Sequence, residues 1–182
     1  MNRYKAEQAI EALLDSFEIP EWRKDDNFKD TPRRVAKAYS EIMRGLEPLE
    51  NHIVEFPSKY DGIIHFKDVQ AVGLCPHHLL PIEYKVTFAY IPTGKVLGLS
   101  KIPRIIKHMA ARPVLQEDLT QEIRDYFVNK LSPIGVAVLV RGVHGCMKYR
   151  GITEAEEVTT VDLYGTFMDV PQTRNEFYDL IK

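Results

Sequence analysis

The sequence is poor in several things, and each scarcity excludes something. Two cysteines among 182 residues cannot form a disulfide framework; in a reducing compartment such thiols read as free groups or metal ligands. No apolar stretch approaches the roughly 20 residues that span a bilayer. The opening MNRYKAEQAIEALLDSF mixes charged and apolar residues at helical spacing, unlike the unbroken apolar region of a secretory leader. These absences point to a cytoplasmic protein. Neither sign of charge is in excess: the net charge is −2, which favours neither nucleic acid nor an anionic membrane, so an anionic ligand must be met by a local basic cluster. There is no internal repeat and no low-complexity segment. What remains is ordinary for a globular chain, 45% hydrophobic and 27% charged. The length suits one domain, with a helical arm, and is enough to bury a real core.

Residues 3–17 fit an amphipathic helix with Ala6, Ile10, Leu13, Leu14 and Phe17 on one face. A polar stretch, EIPEWRKDDNFKD, follows. A second helix then has Thr31 as cap, Pro32 in its first turn, an apolar stripe of Val35, Ala36, Tyr39, Ile42 and Met43, and Gly45 as terminator. Arg33, Arg34 and Lys37 lie in its first turns, where cations oppose the helix dipole. IIHFKDVQAVGL and YKVTFAYIP read as strands, and SKIPRIIKHMAAR as a helix capped by Ser100. Pro113 starts another helix, PVLQEDLTQEIRDYFVNKL, with a stripe of Leu115, Leu119, Ile123, Tyr126 and Phe127. Gln116 falls at the edge of that stripe and Glu117 beyond it. GVAVLVRGVHGCM reads as a strand with EEVTTVDLYGTF as its partner. The order, two helices, two strands, two helices, two strands, predicts an α+β fold with a mainly antiparallel sheet.

The segment GLCPHHLLPI concentrates chemistry. Cys75 and His78 have C-x-x-H spacing, with Pro76 stiffening the turn. Cys146 also has a histidine near it, in VHGC, and on a continuous strand His144 and Cys146 share a face. If the two segments meet, thiolate and imidazole ligands converge in a combination suited to zinc. Five residues (Cys75, His77, His78, His144 and Cys146) compete for at most four positions. Such a surplus suits an open catalytic site with proton-transfer partners; the alternative is two cysteines that are merely small buried hydrophobes.

Ser100 and Lys101 precede a helix and Arg104 is one turn in, an arrangement able to bind phosphate or simply to be solvated. Lys148 and Arg150 follow Cys146 closely. Metal and local cations together suggest a phosphorylated substrate opened by hydrolysis. Glu117 could accept hydrogen bonds from a guanine-type donor edge, or be an exposed helical glutamate.

Taken in order, DTPRRVAKAY, GLCPHHLLPI, FAYIP, VLGLSKIPRI, RPVLQEDLTQEI, GVAVLVRGVHGCMKYRGI, LYGTF and TRNEFYDL resemble type I GTP cyclohydrolase over roughly residues 30–180. The resemblance implies a tunnelling fold: a ββααββ antiparallel sheet with helices on one face, preceded by N-terminal helices. It implies a helical arm over 1–48 and a catalytic domain over 49–182. It implies catalytic Zn2+ on Cys75, His78 and Cys146, with His77 and His144 moving protons. GTP is the implied substrate: opened at C8 of the purine, it loses formate and becomes 7,8-dihydroneopterin triphosphate. Glu117 and Gln116 are expected at the guanine edge, and Ser100 and Lys101 near the ribose and phosphates. Arg104, Arg150, Arg34 and Lys37 are expected on the triphosphate. Similar enzymes are homodecamers of two stacked pentamers with shared active sites, so a lone chain is expected to be inactive.

Two positions depart from the pattern. The turn after the histidines reads IEYK where relatives usually have glycine-lysine, and Asp118 stands where an arginine usually follows the glutamate. The rival readings are a deazaguanine nitrile reductase of the same fold, which needs a metal-free reactive Cys75, and a non-catalytic zinc protein with a closed site.

Overall fold

The computed structural model describes residues 1–49, 54–153 and 156–182. Its elements in chain order are α1 (Arg3–Ser16), α2 (Thr31–Ile42), β1 (Glu55–Pro57), β2 (Ile64–Leu74), β3 (Pro81–Ile91), β4 (Lys95–Leu97), α3 (Lys101–Ala110), α4 (Gln116–Leu131), β5 (Gly135–His144), α5 (Gly145–Lys148), β6 (Val158–Gly165), α6 (Thr166–Asp169) and α7 (Pro171–Leu180). The main sheet has the order β2-β3-β5-β6 with every neighbour antiparallel. This is the expected α+β, ββααββ arrangement behind N-terminal helices. β1 and β4 form a separate two-stranded ribbon that the sequence pattern did not reveal, each strand being only three residues long. No helix among the described residues is long and apolar enough to cross a membrane.

β3 and β5 are central, and their alternation sends two sets of side chains to two faces. Tyr84, Val86, Phe88 and Tyr90 on β3 meet Val136, Val138 and Val140 on β5 beneath Ile102, Ile105 and Ile106 of α3 and Leu119, Ile123 and Phe127 of α4. Each such side chain contributes about 1.5–3 kcal/mol when fully buried. On the opposite face, Ala89, Ile91, Ala137 and Leu139 pack with Phe167 and Phe177 of the C-terminal helices. Helices therefore cover one face broadly and the other only where α6 and α7 reach it.

Several boundaries differ from the sequence reading, each for a physical reason. Asp30, not Thr31, occupies the cap position of α2, and Thr31 is already helical. Ser100 sits at the cap of α3 but its side chain makes no capping bond, its backbone being already αR. Gly45 does not end α2; it lies in a 3-10 turn after it. A Cβ on Gly45 would stand 2.2 Å from the His108 carbonyl oxygen, so the glycine permits close passage of α3. IEYK is strand, not turn, and Tyr84 points into the core at 2% exposure. β5 stops at His144, and Cys146 belongs to the helical turn α5, so the two do not share a strand face. On α1 only Leu14 of the predicted stripe is buried; Leu13 and Phe17 are 47% and 59% exposed. The proposed domain boundary at 48/49 abuts residues 50–53, which lie outside the described residues.

Candidate metal centre and active site

Three chain segments converge at one end of the sheet. β2 ends at Leu74, and the chain turns back into β3 through Cys75–Leu80. The Leu79 amide donates to the Cys75 carbonyl at 2.8 Å and the Cys75 amide to the Leu80 carbonyl at 2.9 Å. Leu79 closes the turn with a φ of 54°. β5 ends beside it, because Ile82 pairs with His144. The start of α4 is brought in by a parallel bridge between Leu74 and Pro113, with hydrogen bonds from Leu74 to Arg112 and from Val114 to Leu74. α2 adds the Tyr39 hydroxyl, which donates to the Leu79 carbonyl at 3.2 Å.

This convergence gathers Cys75, His78 and Cys146, whose ligand atoms all lie within 4.8 Å of one another. Cys75 Sγ is 3.6 Å from His78 Nδ1. Zinc–sulfur and zinc–nitrogen bonds at a tetrahedral angle place such atoms about 3.5 Å apart, so the donors fit a zinc ion in both chemistry and spacing. Three ligands leave a fourth position open. Both cysteines are free thiols. Burial, and then the adjoining Cys75 sulfur, push the Cys146 thiol up, while the Arg150 charge pulls the other way. A divalent cation reverses that balance and favours thiolates.

The two remaining histidines are near but separate. His77 Nδ1 lies 4.0 Å from Cys75 Sγ, and its side chain is exposed. His144 is half-buried and its Nε2 lies 2.9 Å from Gln116 Oε1. Burial lowers its pKa, with Glu117 opposing. Gln116 is 3% exposed, and its Nε2 donates to the carbonyls of Val140 and Val158 at 3.1 and 2.9 Å and to Thr160 Oγ1 at 3.2 Å. Its amide is thus spent inside the protein. The helical wheel put Gln116 at the stripe's edge; the strand ends of β5 and β6 draw it inward. Glu117 is exposed in the first turn of α4 together with Asp118, where both carboxylates suit the helix dipole.

Sequence inspection missed Tyr84. Its ring meets the His144 ring edge-on with centroids 6.4 Å apart. Its buried hydroxyl has no hydrogen-bond partner among the described residues, a cost of about 1–3 kcal/mol. Burial, then the Cys75 and Glu117 charges, push its pKa above the ordinary phenol range. The one signal was the bulky residue in IEYK where relatives usually carry glycine.

The predicted anion-binding residues are not all brought together within the chain. Arg150 is close enough for its charge to act on Cys146. Ser100 and Lys101 stand at the far end of α3, a ten-residue helix whose length is roughly 15 Å. That helix begins beside Leu97, whose amide is bonded to the Tyr90 hydroxyl, and finishes against Gly73 at the metal end. Arg104 is exposed one turn along it. On α2, Arg34 and Lys37 are about 140° and 200° around the helix from Tyr39 at about 100° per residue, so both point away from the Leu79 turn. Asp30 Oδ2 lies 3.7 Å from Arg33 and 3.5 Å from Arg34, and Lys37 pairs with Glu41 at 3.8 Å. Within the protomer, the anion that offsets these cations at a helix start is therefore Asp30.

Comparison with known proteins agrees with this chemistry. Residues 6–182 match the family model described as GTP cyclohydrolase I. The chain is 41% identical over its whole length to the GTP cyclohydrolase 1 of a Sulfurihydrogenibium strain, covering 96% of that protein. It is 39% identical to the one from Pelotomaculum thermopropionicum and 37% to the one from Aquifex aeolicus, again over its whole length and over 97% and 98% of theirs. Among solved structures, the apo archaeosine synthase QueF-Like aligns with 59% of this chain and 97% of its own, at 22% identity and a TM-score of 0.47. The unbroken match along the chain, joined to a Cys-His-Cys cluster at the strand ends, identifies this protein as a member of the GTP cyclohydrolase I family.

Proposed function

We propose that the chain hydrolyses GTP, opening the imidazole ring of the purine, releasing formate and yielding 7,8-dihydroneopterin triphosphate. The observation that carries this reading is the Cys75, His78 and Cys146 cluster, with two further histidines beside it, in a chain of this family. Cys75, His78 and Cys146 would hold a zinc ion, which would supply Lewis acidity and lower the pKa of a water toward about 7. The residues do the rest. His77 and His144 take and return protons as water adds at C8 and the C–N bonds break, each such transfer being worth about 10²–10⁴-fold in rate. Glu117 accepts hydrogen bonds from the guanine N–H groups. Ser100 and Lys101 serve the ribose and phosphates, and Arg104, Arg150, Arg34 and Lys37 the triphosphate.

Because α3 separates Ser100 and Lys101 from the metal end by roughly 15 Å, we assign the complete site to a junction between copies. One copy gives the metal end and a neighbour gives cations. A ring assembly, a homodecamer of two pentamers, satisfies this. The division into a helical arm over 1–48 and a catalytic domain over 49–182 belongs to the same reading. It is supported by α1 and α2 keeping most of their apolar residues out of the sheet's core. A cytoplasmic location fits the free thiols.

The test is incubation of the zinc-loaded protein with GTP, following formate and the fluorescent oxidised pterin. Both products are expected in equal amounts. Neither appearing, at full zinc occupancy and correct assembly, overturns the assignment. A metal-free protein whose Cys75 reacts with a nitrile substrate would return the reductase reading.

A further inference from the structure

We infer that Gln116 is a positioning residue that fixes the tautomer and the ring plane of His144, rather than a contact to the substrate's guanine. The inference rests on the proton-moving role proposed for His144. The bonding pattern determines the amide's orientation. Backbone carbonyls only accept hydrogen bonds, and the amide end of Gln116 that faces the Val140 and Val158 carbonyls must therefore be the nitrogen. Thr160 Oγ1 also accepts from this nitrogen, and is itself 2.6 Å from Thr120 Oγ1, to which it donates because the Thr120 hydrogen goes to the Gln116 carbonyl. The Thr120 hydroxyl lies 2.7 Å from the Gln116 carbonyl, so the residue is held at both its backbone and its side chain. With the nitrogen committed, the amide oxygen faces His144. An amide oxygen cannot donate, so the imidazole must carry its proton on Nε2 and donate it across the 2.9 Å contact. A neutral ring then leaves Nδ1 with the free lone pair.

The surroundings leave the pair little freedom. Gly142, two residues before His144 on the same face of β5, has no side chain between them. A Cβ there would stand 2.3 Å from Gln116 Oε1, 3.1 Å from the Tyr84 ring and 3.2 Å from His144 Nε2. Tyr84 closes the other side edge-on at 6.4 Å between centroids. An exposure of only 3% puts the Gln116 side chain beyond the reach of a nucleotide. The neighbouring Glu117, exposed, is left as the acceptor for the base.

Two measurements decide the matter. The first is the ring 15N spectrum of histidine-labelled, zinc-loaded wild-type protein, with His144 identified by the signal lost in His144→Ala. A His144 ring carrying a proton on Nε2 is expected; a ring with Nε2 bare and its proton on Nδ1 overturns the inference. The second is steady-state kinetics of Gln116→Met with zinc content measured alongside. The expected result is kcat reduced about 100-fold, as for loss of an aligned proton-transfer group. KM for GTP is expected to change less than about 3-fold, zinc content not at all, and the His144 ring to populate both tautomers. A raised KM with kcat kept would make Gln116 a substrate contact and sink the proposal. If Gln116→Met fails to assemble, Gly142→Ala parts the same two side chains from the strand side and must reproduce the kcat-dominated loss; unchanged kcat there overturns the inference. Should the wild type release no formate, the proposed reaction fails while the tautomer measurement still stands or falls by itself.

Discussion

At one end of the sheet, backbone hydrogen bonds within a single protomer draw Cys75, His78, Cys146, His144 and Gln116 together. At the start of α3 and on the outer side of α2, the cations Lys101, Arg104, Arg34 and Lys37 face outward. The first region is finished chemistry on a rigid frame: β3 and β5 beneath it are buried along most of their length. The second is a set of long, flexible side chains with only surface ion pairs, each worth about 0–1 kcal/mol. On the proposed reading, the difference marks the end of the site that a second copy would complete. Proton transfer and metal binding demand sub-ångström placement and are built locally. Holding a triphosphate needs only charge in reach, and can be delegated across an interface.

Breaking the built end should have the largest effect. Cys146→Ala removes one of three ligands, and zinc measured by emission spectroscopy should fall to trace levels with activity reduced at least about 10³-fold. Zinc retained in proportion to protein would exclude Cys146 as a ligand. A sharper version joins the two regions. Cys146→Ala and Arg104→Ala, each inactive alone, are unfolded, mixed in equal parts and refolded together. About a quarter of wild-type activity should return, the share of junctions that receive an intact half from each side. No recovery, with mixed assemblies shown by mass spectrometry, would place both residues in one protomer's site. A smaller effect is expected from Glu117→Gln, which replaces an acceptor-only group by one that also donates. The preference for GTP over ATP, measured by competition, should fall about 10- to 100-fold, and an unchanged preference would free Glu117 from that role.

The smallest effect concerns the helical arm. Hydrogen bonds from Arg23, first, and from Trp22 Nε1 hold the Asp15 carboxyl below its usual pKa. A folded pKa below the unfolded one means the stabilisation is present above the unfolded value, near 3.9, and is lost as pH falls through the folded value. Trp22 is the chain's single tryptophan, so its fluorescence reports directly on this latch. A shift confined to pH below about 4 is expected; a transition near neutrality would point to another group.

Some of this could be read from the chain as text. Val136–Val140 alternates and is β-branched, and Leu119, Ile123 and Phe127 recur at helical spacing; both patterns survive in the folded core because burial enforces them. Cys75 and Cys146 stood out because rare thiols with histidine company are not a packing pattern. Caps and turns were read less well. Asp30 and Thr31 are both good capping types, and the folded helix takes Asp30 at its cap position without a side-chain capping bond. Gly45 looks like a helix terminator, yet the closeness of His108 and Ala111 is what requires it. β1 and β4 are too short to show a period, and their pairing is a contact between distant segments.

The sequence by itself determined the periodicity of the elements, the membership of the family and the cysteines and histidines among which candidate metal ligands lie, since these reside in residue type and local spacing. Only the tertiary structure decided that Gln116 turns inward to His144, that Tyr84 lies beside that ring with its hydroxyl unpartnered among the described residues, and that Ser100 and Lys101 stand a helix length from the metal end. Those outcomes depend on which strand ends meet which helix start. No local spacing encodes such a meeting, because hydrogen-bond partners far apart in the chain become neighbours only after the sheet has closed around its core.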